Sequence, residues 1–217
     1  MSTLDTFHQR VSRAINRGKV FDGDIPSYAR NAVKTLEDIN NWKHMWVEDE
    51  AGSITVDTNV ITPSLSVKSV RIVAVTAVDS LPKILKKVSR DQVLFIGTGP
   101  VPSAYWMSTQ DEIRVDSEPD VALPYSISYY AYSTYDNSLP WLTVSEGLLL
   151  AQTILEMSPL FRDDKITQRY VAQKGEKLGV LEESQLVHEF DAQDNQMVPF
   201  ANEAESYLRS TLTPDDV

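Results

Sequence analysis

Apolar residues recur at three- and four-residue steps in the first forty positions. Leu4, Phe7, Val11, Ala14 and Ile15 share one face of a short amphipathic helix, with Ser2 or Thr3 as its cap and Gly18 as its stop. A second helix starts after Phe21-Asp22-Gly23, capped by Asp24 with Pro26 in its first turn. Ile25, Ala29, Ala32, Val33, Leu36 and Ile39 form its stripe, and Trp42 and Trp46 follow, placed to seal this hairpin.

The period changes near Met45 to short β-branched and aromatic runs broken by turn residues. Gly52 divides two expected strands, Met45–Glu48 and Ile54–Asp57. Val67–Val78 is apolar on both alternating faces and reads as a strand covered on both sides. Leu81–Val88 fits either a helical turn or a strand, and Ser89 to Gln92 has capping-box spacing for a brief helix through Phe95. Further strands are expected at Tyr105–Ser108, Ile113–Asp116 and Tyr125–Tyr132. On the last, Tyr125, Ile127, Tyr129 and Ala131 share a face. Short links favour an antiparallel meander.

Helical spacing returns after Pro140 with Leu142, Val144, Leu148, Leu149, Ala151, Gln152 and Leu155, and Pro159 is expected to break it. A longer helix then runs from about Asp163 toward Phe190, with Ile166, Tyr170, Leu178, Leu181 and Gln185 inward and Gly175 and Gly179 as weak points. The expected fold is α+β: a small helical bundle built from an N-terminal hairpin (1–44) and a C-terminal helix pair (139–190). An antiparallel β-rich insert (45–138) separates them, and an extended acidic arm (191–217) follows.

Charge sharpens this picture. The 217-residue chain carries a formal net charge of −11 and no cysteine. The absence of cysteine excludes disulfides, thiolate metal sites and cysteine nucleophiles. The acid excess disfavours electrostatic nucleic-acid binding. Residues 189–217 hold seven acids against one base, a net of −6, whereas residues 1–44 hold seven bases and five acids, a net of +2. The apolar residues of the tail, Phe190, Val198, Phe200, Tyr207, Leu208 and Leu212, are too sparse for a core but suit anchors laid on a partner. No run is long and apolar enough to span a membrane, and MSTLDTFHQR lacks the basic and apolar regions of a secretory signal.

Catalytic patterns are missing. His8, His44 and His188 lie in separate elements with no HExxH or paired spacing, so no metal or other cofactor is expected. Gly97-Thr98-Gly99-Pro100 lacks the Lys-Ser/Thr step of a phosphate loop and reads as a turn. Asp111-Glu112 and Glu48-Asp49-Glu50 read as solvated acids. Ser145 with Gly147 lacks the glycine and strand that precede a nucleophile elbow. The tyrosines from Tyr125 to Tyr135 lack interleaved Arg or Lys and suit sheet packing or a subunit interface.

Three stretches carry a family resemblance. IPSYARNAVKTLEDINNW, the run VSRDQVLFIGTGPVPSAYWMSTQDEIRVDSEPDVALPYSISYYAYS, and LPWLTVSEGLLLAQTILEMSPLFRDDKITQRYVAQK follow the helix, β-insert and helix-pair pattern over roughly residues 3 to 190. Together they resemble the head-to-tail connector (adaptor) proteins of tailed bacteriophages. The resemblance implies a non-enzymatic virion protein at the neck, forming a homo-oligomeric, typically dodecameric ring. Its partners would be the portal protein and a downstream tail or nozzle protein, with DNA passing through the lumen without specific binding. The C-terminal segment would grip the portal. Alternatives are another neck or tail-completion protein of the same particle, or a carbohydrate- or ligand-binding β module.

Overall fold

In the computed structural model, residues 3–16, 18–77, 80–89, 97–98 and 100–184 are described. The helical part opens with α1 (Leu4–Ile15) and α2 (Ile25–Ile39), joined by a 3-10 turn at Gly18–Phe21. Thr3 caps α1 through a reciprocal pair with Thr6: the Thr6 N–H donates to Thr3 Oγ1 at 3.3 Å, and the Thr3 N–H to Thr6 Oγ1 at 2.8 Å. The helix stops earlier than expected. Asn16 takes the left-handed conformation (φ 53°) in place of the expected stop at Gly18. Asp24 occupies the cap position of α2, but its side chain makes no capping bond.

Beyond Trp141 lie α3 (Trp141–Val144), α4 (Glu146–Phe161) and a further helix, α5, over residues 164–184. The single apolar helix expected after Pro140 is thus interrupted at Ser145. Pro159 does not end α4, which runs on to Phe161 and closes with Arg162 in the left-handed region. Met157 and Phe161 are buried, and carrying the last turn onto the core offsets the one backbone bond that Pro159 cannot donate. Asp163 caps α5 by accepting the N–H groups of Lys165 and Ile166. A first core gathers Phe7, Val11, Ala29, Leu36, Trp42 and Tyr130 around α4, whose Leu148, Leu149, Ala151, Ile154 and Met157 are sealed on all sides. Each large apolar side chain so buried contributes about 1.5–3 kcal/mol.

The strands are β1 (Trp46–Ile54), β2 (Val60–Ile61), β3 (Val67–Val75), β4 (Lys83–Ile84), β5 (Lys86–Lys87), β6 (Gly97–Thr98), β7 (Ala104–Thr109), β8 (Glu112–Val115), β9 (Ser117–Glu118) and β10 (Leu123–Ala131). One sheet has the order β1-β10-β3-β4, a second β2-β8-β7-β5, and β6 pairs with β9. The meander expectation therefore fails: β10 inserts between β1 and β3. Its residues 127–131 are all buried, which suits a central position. The β5–β7 and β6–β9 pairs are parallel. The expected split at Gly52 is also absent. β1 runs straight through that residue, because the Tyr125 ring lies where a Gly52 side chain would be. The brief helix expected through Phe95 falls outside the described residues.

The second core lies between the sheets, with Ile54, Ile61, Val73, Val75, Ile113, Val115, Leu123, Ile127 and Tyr129 almost wholly enclosed. Consecutive residues of β10 serve different cores: Tyr129 faces the sandwich and Tyr130 the helices. The fold is α+β, with helices and sheets segregated and joined along β10.

Candidate interaction site at the junction of the two cores

The joint is polar where the cores meet. Glu37 on α2 is about 1% exposed, and its carboxylate accepts the Trp141 indole N–H at 3.0 Å and the Ser133 N–H at 3.2 Å. Lys68 on β3 donates its ammonium to the Glu37 carbonyl and to the Asn40 carbonyl, the latter at 2.6 Å. Burial pushes the Lys68 amine below its usual range, against the pull of Asp38 and Glu37. Trp42 donates its indole N–H to the Leu36 carbonyl at 2.6 Å and stands edge-on to Trp141 at 5.7 Å. The expected sealing role of Trp42 and Trp46 holds. Trp42 is buried in the first core, and Trp46 lies 5.0 Å from the Tyr130 ring.

Beside this joint, His44, Met45, Val47, Leu65, Tyr132 and Ser138 help line a cleft of about 200 Å³. His44 packs edge-on against Trp141 at 4.7 Å, and burial lowers its pKa to about 4, so the ring is neutral near pH 7. The Tyr132 hydroxyl donates to Asp38 at 2.9 Å, and its pKa is raised to about 12, chiefly by desolvation and then by that carboxylate. Both polar groups are thus fixed in their neutral forms. Among the described residues, the lining of the cleft includes no Asp, Glu, Lys or Arg side chain.

The other sequence-predicted groups are dispersed. Asp111 accepts the Ser66 hydroxyl at 2.5 Å, and Glu112 pairs with Arg114. Both carboxylates are committed at the β7–β8 turn. Glu50 was expected among solvated acids, yet it is half-buried and takes the Ser64 N–H at 2.8 Å, the Ser64 hydroxyl at 2.9 Å and the Tyr129 hydroxyl. Asp49 sits at an irregularity in β1 with φ 50°, beneath the Ser126 and Ser128 hydroxyls. Gly97-Thr98 is a strand rather than the expected turn. His8 is half-buried as expected and shares a hydrogen bond of 2.8 Å with the Tyr135 hydroxyl. Among the described residues, no three His, Asp or Glu side chains converge on a metal-sized site. Ser145 separates α3 from α4 and stands in no strand-to-helix elbow. Gly175 and Gly179 have open space where a side chain would go, which agrees with a weakened helix over close backbone approach.

Every described aromatic ring is buried or half-buried, including Tyr105, Trp106, Tyr129 and Tyr130 of the aromatic strands. The expected arm anchors, Phe190, Val198, Phe200, Tyr207, Leu208 and Leu212, lie outside the described residues, as does His188. Glu37 and Lys68 were missed by sequence reading. A lone acid at an inward position of an amphipathic stripe, one residue after Leu36, was the available signal. Among the described residues, no helix is long and apolar enough to cross a membrane. Comparison with known proteins matches the chain to no family model and to no curated relative.

Proposed function

We propose that this chain is a head-to-tail connector (adaptor) protein of a tailed bacteriophage, a structural ring component at the neck of the virion between portal and tail. The observation that carries the reading is the layout. Helices before and after the β segment close one core, and a two-sheet body issues from it. That is the arrangement the connector resemblance implies. The ionisable groups support it as well, since Asp111, Glu112, Glu50 and Glu37 are each spent on holding the fold together. A carbohydrate-binding row would present exposed rings, and every described aromatic ring is buried or half-buried.

In this reading copies of the chain form a ring, dodecameric as in the family it resembles. The acidic tail with its anchors Phe190, Val198, Phe200, Tyr207, Leu208 and Leu212 lies against the portal, and the β body meets the downstream tail or nozzle protein. The acid excess of the chain keeps DNA phosphates from sticking to the channel. The test is a pull-down of the full chain, and of a chain ending at Phe190, against isolated portal and isolated tail. The full chain is expected to capture portal and the truncated chain to lose it. Capture of the tail terminus alone would move the protein to a tail-completion role. Undiminished portal capture by the truncated chain would remove the arm from the account.

A further inference from the structure

The two sheets share their boundaries. On one side both edges come from a single stretch of chain, β1 of the first sheet and β2 of the second. On the other side both come from a second stretch, β4 and β5. The Leu85 N–H bonds back to the Val73 carbonyl in the first sheet, and the Lys86 N–H to the Ser103 carbonyl beside the second, so this short stretch stitches the two edges together.

These walls are charged oppositely. Residues 46–61 contain Glu48, Asp49, Glu50 and Asp57 and no base, and residues 81–88 contain Lys83, Lys86 and Lys87 and no acid. Glu48, Asp49 and Asp57 are exposed, as are all three lysines. The ammonium groups of the three lysines have no hydrogen-bond or ion-pair partner among the described residues. Each wall also presents apolar surface within its charges: Leu81 is 88% exposed and Ile84 59% on the basic side, and Val56 45% on the acidic side. Across four strands the walls stand roughly 14 Å apart.

We infer that the acidic wall of one copy of this chain docks on the basic wall of the next, so that the β bodies join head to tail. An edge charged only to block pairing serves equally well with one sign on both sides. Opposite signs on opposite edges repel like edges and attract unlike ones, which selects a heterologous contact over a two-fold one. Leu81, Ile84 and Val56 supply the apolar surface such a contact covers. Repetition of a heterologous contact closes a ring when the rotation between copies allows it. This inference rests on the ring reading above and names the surfaces that form the ring.

The test uses the full chain, mixed as isotopically light and heavy preparations and treated with a carbodiimide that joins carboxylates to amines. Mixed-isotope crosslinks between the acids of 46–61 and Lys83, Lys86 or Lys87 are expected. Their absence overturns the inference. In parallel, Glu48→Lys with Asp57→Asn should weaken self-association roughly tenfold or more, as should Lys83→Glu with Lys86→Glu, both read by sedimentation. Mixing the two variants, or placing all four changes in one chain, should restore it. Failure of that rescue in chains whose melting is unchanged also overturns the proposal. Rings seen by electron microscopy whose crosslinks fall elsewhere would defeat this contact and leave the connector reading standing. A chain that neither self-associates nor binds portal would defeat both.

Discussion

Trp141 donates its indole N–H to the Glu37 carboxylate at 3.0 Å, joining residues 104 apart in sequence. The bond ties the second helix to the segment that re-enters the bundle after the β body. It lies beside the Lys68 contacts from β3, so one cluster locks helices and sheet. In a connector this joint would fix the pose of the β body relative to the bundle, and geometry of that kind is what ring closure requires.

Glu37→Ala leaves the buried Trp141 indole N–H and the half-buried Ser133 N–H unpaired. The expected loss is about 2–4 kcal/mol, read from chemical denaturation. Glu37→Gln keeps an acceptor oxygen and should lose less. Equal losses for both variants would show that the carboxylate itself, rather than its acceptor geometry, holds the joint.

Gly52 faces Tyr125 across the β1–β10 ladder, and an alanine there collides with the tyrosine ring. Gly52→Ala should destabilise the fold by about 1–3 kcal/mol, and adding Tyr125→Ala should remove the penalty of the alanine at 52. A double-mutant cycle by thermal melting checks this.

Gly175 and Gly179 have open surroundings and no positive φ. Each change to alanine should raise stability by about 0.5–1 kcal/mol, through helix propensity and a less mobile unfolded chain. A fall in melting temperature for either would contradict the open-surface assignment.

His44 sets a pH dependence. Its pKa is about 4 in the folded protein against 6.5 when free, so between these values the unfolded chain binds the extra proton. Stability from this residue is complete above about pH 6.5 and falls as the pH drops toward 4, by on the order of 2–3 kcal/mol. Burial lowers the His8 pKa too, partly offset by Asp5, and acts in the same sense. His44→Phe should flatten the slope of stability against pH over that window.

Much of this was readable from residue order, and the exceptions have physical causes. The stripes of α1 and α2 and the alternation of β10 reflect local periodicity, so Phe7, Leu36, Ile127 and Tyr129 lie where their spacing placed them. Pro159 and Gly52 misled because tertiary packing overrode local preference: Met157 and Phe161 draw the last turn of α4 onto the core, and Tyr125 covers the glycine. Glu37 was invisible because its partners, Trp141, Ser133 and Lys68, lie between 31 and 104 residues away. The opposite charge of the two walls emerges only from strand order, since nothing in the sequence says that β1 and β4 bound the same sheet.

Imaging by electron microscopy of the full chain mixed with isolated portal tests the central claim most directly. The account predicts a ring of this protein stacked coaxially on the portal with an open central channel. A particle population of bare portals beside single, unattached copies of the chain would contradict it.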